Sequence, residues 1–391
     1  PGSLIPSPFD PRLILRIAPA VAKAAMDSGV ATRPIKNFDE YTALLERFAF
    51  RSGLIMKPVF AKAKAQPVRV IYAEGEDERV LRATQVVLEE KLARPILVGR
   101  PSVVEARIKR FGLSIKAGTD FDLVNPEDDP RYRSYVQSYI EIAGRRGVTP
   151  DAARTVVRTN ATVIAALAVV RGEADAMICG VEGRYMSHLR HVREIIGFMP
   201  GVSDFAALAL TITSKGAYFI GDTQVRPNPT AEELAEMASL AANHVTRFNI
   251  KPKIAFVSHS DFGGYDTDSS RKMRQATALL KQHRPDLEAD GEMQGDTALS
   301  STARKAILPH SDLEGSANVL IMPNLDAANV AYQMIKVLAD AVPVGPILIG
   351  PARPAHILTP SVTARGILNM TAVAAVEAQE RAGRAQPTLF A

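Results

Sequence analysis

From residue 67 onward, short unbroken apolar runs alternate with stretches of helical period. The runs at 68–73, 95–98, 174–179, 218–220, 254–257, 319–322 and 347–349 are too short for helices and show no polar face. Strands of this kind are buried on both sides. Helices between them imply right-handed crossovers, so the pattern predicts an α/β fold with mostly parallel sheets and helices on both faces. One helix start is written out in full. Thr230 follows Pro229 as a cap, and Glu233 three residues later completes a capping box.

Residues 1–65 read differently. Proline-punctuated chain leads into an amphipathic helix over 17–27, ended by Ser28-Gly29. A second helix follows, with Asp39 as its cap and Tyr41, Leu44, Leu45 and Phe48 on one face. Two helices alone cannot bury their apolar stripes, so they need a partner in the next domain or outside this chain. Lys62-Ala63-Lys64-Ala65-Gln66-Pro67 reads as a linker.

Composition changes this picture little. The 391 residues suit two or three domains, and 47% hydrophobic with 23% charged residues are ordinary globular values. No apolar run reaches the roughly 18 residues that a transmembrane helix needs. Pro1-Gly2-Ser3 reads as an expression scar, not a signal peptide. A single cysteine, Cys179, excludes an internal disulfide and fits a reducing cytoplasm. Sitting in an apolar strand, it reads as a small buried hydrophobe. The net charge of +5 suits either nucleic acid or a small polyanion such as coenzyme A. Basic residues are interleaved with acidic ones and there is no Trp, which argues against nucleic acid.

Several turns carry candidate chemistry. Glu74-Gly75-Glu76-Asp77-Glu78-Arg79 closes the first strand, with acids placed where a helix dipole favours them. Gly180 to Arg190 follows a buried strand, and its glycines let backbone amides approach an anion, although it is not GxGxxG. His188 and His191 lack the companion ligands of a metal site. Asp290 to Asp296 does not have EF-hand spacing and is expected to be a turn. In Ser258-His259-Ser260-Asp261, neighbours on a strand point to opposite faces, so no triad forms among them.

Taken in order, Glu74-Gly75, Gly180 to Arg190, Asn228-Pro229-Thr230, Asp290 to Asp296, Asn324 to Asn329 and Gly345 to Gly350 resemble the phosphotransacetylase family. That family passes an acetyl group between phosphate and coenzyme A. The resemblance implies a two-lobed fold, like that of isocitrate and isopropylmalate dehydrogenases. Its first lobe would comprise 66–201 and 353–391, and its second, dimerising lobe 202–352. It also implies that Tyr185, Ser187, Arg190, Asn324, Asn329, Gly350, Thr359, Ser361 and Arg365 bind acetyl-CoA or its anionic groups. The family's last loop runs Asp-Leu-Ser-Arg-Gly-Cys-Ser-x-x-Asp. Here Pro360 stands at the arginine and Gly366 at the acid, so no catalytic residue is expected, with Arg365 as a cation able to swing into the gap.

Residues 4–65 resemble the last segment of bacterial NADP-dependent malic enzymes that carry a C-terminal phosphotransacetylase-like domain. This implies a malic catalytic domain before residue 1, acting in cis and holding NADP and a divalent metal, Mg or Mn. The chain itself would hold no metal. Acetyl-CoA would act as an allosteric inhibitor, and the protein would be a cytoplasmic homodimer or higher homo-oligomer that binds neither membrane nor nucleic acid.

Overall fold

The computed structural model describes residues 11–382. Pro8, Phe9 and Asp10 of the malic-type segment, and the side chains of Leu44 and Phe48, lie outside the described residues. In chain order the strands are β1 (Val68–Tyr72), β2 (Ala93–Val98), β3 (Asp122–Val124), β4 (Ala176–Cys179), β5 (Ala206–Thr213), β6 (Gly216–Gly221), β7 (Lys253–Val257), β8 (Glu288–Met293), β9 (Val319–Ile321), β10 (Val342–Ile349) and β11 (Ala355–Ile357).

They form two sheets. The first has the order β11-β4-β1-β2-β3 and is parallel throughout. Period-two alternation sends Val70 and Tyr72 into one core with helix Ala364–Ala382. Ile71 and Ala73 go to the opposite face, with helix Ala161–Val170. Both helices are buried around most of their circumference because each is wrapped by its neighbours.

The second sheet has the order β10-β5-β6-β9-β7-β8. Here β5 runs antiparallel to both β6 and β10, so this sheet is mixed. The chain crosses from the first sheet to the second around residues 196–205 and returns around 350–354. The two crossings lie side by side. Met199 N–H donates to Gly350 O at 2.8 Å, and Ala352 N–H to Gly197 O at 3.0 Å. Gly350 sits at φ +100° with Val202 Cγ1 only 3.1 Å from where a Cβ would lie. A side chain there would both strain the backbone and push the crossings apart.

The apolar runs became strands as expected, and β3, β5, β8 and β11 were added. Strand β5 reads AALALTIT and is buried at every position, but its alanines carry little strand propensity. Strand β8 corrects the expected turn at Asp290 to Asp296. Its acids are placed by partners: Glu292 accepts from Gly263 N and Arg274, while Asp290 pairs with Lys281 and accepts from Ser311 Oγ.

The N-terminal helices also differ from expectation. Helix Pro11–Asp27 begins earlier and carries Pro19 inside it. Helix Phe38–Ala65 is capped by Asn37, whose Oδ1 accepts from the backbone N–H of Asp39 and Glu40, so Asp39 is not the cap. The expected linker at 62–67 is helical through Ala65. Met56, Val59 and Ala63 are buried against the main core, and Gln379 Nε2 donates to Ala63 O and Gln66 O. The second half of this helix is therefore part of the lobe it enters. Val59→Ala should lower unfolding free energy by about 2 kcal/mol in denaturant titration. An unchanged midpoint would show that the helix does not dock.

Candidate functional site

Strands β1, β4 and β11 are neighbours and parallel, so their carboxyl ends bring three loops together. In open parallel sheets this is where ligands bind. Gly180, at φ +86°, brings the loop after β4 so close to the loop after β11 that a Cβ would lie 2.5 Å from Leu358 O.

One guanidinium stitches the loops. Arg79 Nη1 donates to Pro360 O at 2.6 Å and to Val362 O at 3.2 Å. Its Nη2 reaches Val181 O at 2.9 Å, and Asp77 holds the group from the other side through Nε and Nη2. A planar fork with five donors suits this work, and a lysine could not reproduce it. The sequence shows Arg79 only as the last letter of Glu-Gly-x-x-x-Arg, and its reach across the loops was not legible there.

Beneath this clamp sits Glu74, whose Oε1 accepts from Gly180 N–H at 2.9 Å. Its Oε2 is buried without a hydrogen-bond partner among the described residues. Burial pushes its carboxyl up to about 7, with the Gly180 and Val181 amides pulling the other way. His188 Nδ1 lies 3.9 Å from Glu74 Oε1 and 2.7 Å from Thr162 Oγ1, and Nε2 is 2.7 Å from Glu182 O. Burial lowers the His188 pKa, so the neutral ring accepts from Thr162 and donates to Glu182 O.

The residues singled out in the sequence serve different local contacts. Tyr185 packs its ring into the core that contains Phe205 and Val225. Its hydroxyl is buried without a partner among the described residues, and burial, with Asp222 nearby, pushes its pKa up. Ser187 is exposed on the first turn of helix Tyr185–Ile195. Arg190, on the same helix, lines an open hollow with Arg146, Met186 and Arg193. Asn324 caps helix Leu325–Leu338 by accepting from Ala327 N–H, and Asn329 Nδ2 donates to Thr223 O. Gly350 serves the crossing described above. Thr359 and Ser361 share a 3.1 Å hydrogen bond in the loop that Arg79 holds.

Arg365 does not fill the gap expected of it. It lines a different hollow, against Met56, Lys57 and Phe60 of helix Phe38–Ala65. Its position one residue before Gly366 turns it to another side of helix Ala364–Ala382, and burial lowers its pKa. Pro360 offers only its carbonyl, already taken by Arg79. At Gly366 a Cβ would stand 2.8 Å from Val362 Cγ2, so a carboxylate there would need that branched side chain to move. Among the described residues no group of three or more His, Cys, Asp or Glu is arranged to hold a metal ion.

A family model described as "Phosphate acetyl/butaryl transferase" matches residues 54–375. The chain belongs to the phosphate acetyl/butaryl transferase family. Its sequence is 61% identical over 378 residues to a protein named NAD-dependent malic enzyme from Rhizobium meliloti strain 1021, covering 96% of this chain and 49% of that protein. It is 51% identical over 380 residues to one named NADP-dependent malic enzyme from Escherichia coli K12, covering 97% of this chain and 50% of that protein. The chain thus spans about half the length of these curated relatives. The crystal structure of a phosphotransacetylase from Streptococcus pyogenes is 28% identical, with a TM-score of 0.78, and the match covers 83% of this chain and 98% of that one. The phosphate acetyl/butaryl transferase fold is therefore retained through the loop cluster, with Pro360 and Gly366 built into it.

Glu74 makes the cluster sensitive to pH. Its folded pKa lies above its unfolded value, so below about pH 4.5 both states are protonated and it contributes no pH dependence. As pH rises to about 7 the unfolded state ionises first and stability falls, with the loss complete above that pH. Relative to wild type, Glu74→Gln should gain about 3 kcal/mol between pH 4.5 and 8, whatever its fixed offset. Parallel stability-versus-pH curves for the two proteins would refute the assignment.

Proposed function

We propose that this chain is the regulatory and assembly part of a malic enzyme, its C-terminal phosphotransacetylase-like half. It binds acetyl-CoA as an inhibitory signal and does not transfer the acetyl group. The observation that carries this reading is the loop from Thr359 to Gly366. Its backbone is held in place by Arg79, yet Pro360 supplies no cation and Gly366 no base. The strong likeness to proteins named malic enzymes supports the rest.

In that setting malate would be oxidised and decarboxylated to pyruvate by a catalytic domain acting in cis, in the cytoplasm. That domain would hold NADP and Mg or Mn. The relatives carry both coenzyme names, one NAD-dependent and one NADP-dependent, so the coenzyme follows from the catalytic domain. Acetyl-CoA lies downstream of pyruvate and would report surplus. It can inhibit only by binding two conformations unequally, typically with about 1–3 kcal/mol of coupling.

An active phosphate acetyltransferase is the second reading, favoured by the Glu74 carboxyl near 7 at the ends of β1 and β4. Loss of a general base costs roughly 10²–10⁴-fold and loss of an electrostatic clamp roughly 10²–10³. A coupled assay with acetyl phosphate and coenzyme A should therefore run about 10⁴-fold or more below typical turnover, and rates of about 1–10³ s⁻¹ would establish the transferase instead. Calorimetric titration with acetyl-CoA should give heat at millimolar ligand or below, weakened about tenfold by Arg190→Ala. No heat would leave assembly as the chain's role.

Assembly has its own surface. Val330, Met334, Val337 and Leu338 recur at helical spacing on helix Leu325–Leu338, and Val337 and Leu338 are 69% and 77% exposed. A row of this kind on the second lobe suits a second copy of the chain, packed as an isologous pair. Leu338→Glu should convert the dimer to monomer in light-scattering chromatography with helix content unchanged. A dimer that survives the substitution would place the interface elsewhere.

A further inference from the structure

A second hollow, of about 240 Å³, lies at the junction of the lobes, at the opposite end of helix Ala364–Ala382 from Gly366. Arg381 lies fifteen helical positions beyond Gly366, about 22 Å along the axis. The walls come from every part of the junction. Arg247 and Leu240 belong to the second lobe, Met199 and Arg353 to the two crossings, and Glu380 and Arg381 to the last helix.

Its charges do not cancel. Arg247 pairs with Glu380 at 2.8 Å and lies 3.5 Å from Glu377, and Arg381 Nη2 donates to Glu377 Oε1 at 2.7 Å. Glu377 is fully buried, and although burial opposes its charge, Arg247 and Arg381 hold its pKa well below the usual carboxylate range. Three guanidinium groups thus face two carboxylates, and Arg353 has no ion-pair or hydrogen-bond partner among the described residues. Arg381 commits one terminal nitrogen to Glu377 and keeps donors for another acceptor. The apolar wall formed by Met199 and Leu240 leaves room for a short carbon skeleton.

We propose that this hollow binds a small dianion, a phosphate ester or a dicarboxylate, held by Arg353 and Arg381 at the lobe junction. Two guanidinium groups lining one hollow suit either anion, which each can bind bidentately. The site is separate from the loop cluster, and an occupant touches both lobes and both crossings, so it favours one lobe arrangement over another.

The test is calorimetry of this chain with inorganic phosphate and, separately, succinate, at ionic strength held constant with chloride. At least one probe should bind with a Kd near or below about 1 mM, and Arg353→Gln should weaken it about tenfold. Arg353 is exposed and has no partner among the described residues, so this substitution leaves the fold intact. Phosphate binding alone identifies a phosphate ester as the natural class, and succinate binding alone a dicarboxylate. Arg190→Ala should leave the probe affinity unchanged, so this site and the acetyl-CoA reading stand or fall separately. Absence of binding by both probes at about 10 mM, or equal binding by wild type and Arg353→Gln, overturns the proposal.

Discussion

The constraint on which the structure depends is the double crossing between the lobes. The first lobe leaves its sheet after helix Tyr185–Ile195 and is completed only when β11 returns to the edge of β4. Both crossings must therefore close on each other. Paired backbone hydrogen bonds between 197–199 and 350–352 do this, with Gly350 permitting the approach. The last helix then lies across β1 and β4 and joins the second lobe through Glu377 and Arg247. A buried ion cluster adds little net stability by itself. Once its partners are present, however, each charge there needs the others, which fixes the seam in one arrangement.

The loop cluster follows from this closure. Strand β11 has to sit beside β4 before the loop after it can meet Gly180 and Arg79. In that loop Arg79 binds the carbonyl oxygens of Pro360 and Val362, not side chains, so it holds the loop regardless of which residues the loop carries. That separates frame from chemistry. Pro360 and Gly366 can occupy the loop without disturbing it, because neither position is asked for anything except its backbone.

Much of the fold was legible because burial on both faces writes itself as an apolar run. The strands that escaped detection lacked that signature for identifiable reasons. Strand β5 is rich in alanine, and β8 carries Asp290 and Glu292, whose charges are satisfied by Lys281 and Arg274 from helix Asp268–His283. Strands β3 and β11 are three residues long. The apparent linker after Lys62 misled because lysine and alanine are good helix formers as well as common linker residues. Its true state depended on Gln379, more than 300 positions away.

By itself, the sequence determined the fold class, the order of the family motifs and the loss of a cation and an acid at Pro360 and Gly366. Those are properties of residue type and spacing, which local chemistry fixes. Only the tertiary structure decided where the side chains point. It turned Arg365 away from the loop toward helix Phe38–Ala65, buried the Tyr185 hydroxyl, and placed Arg190 in a hollow of its own. It also brought Arg247, Arg353 and Arg381 to one hollow from three distant segments. Side-chain direction depends on which faces the closed lobes leave open, and that is set only when the chain has returned to its first sheet.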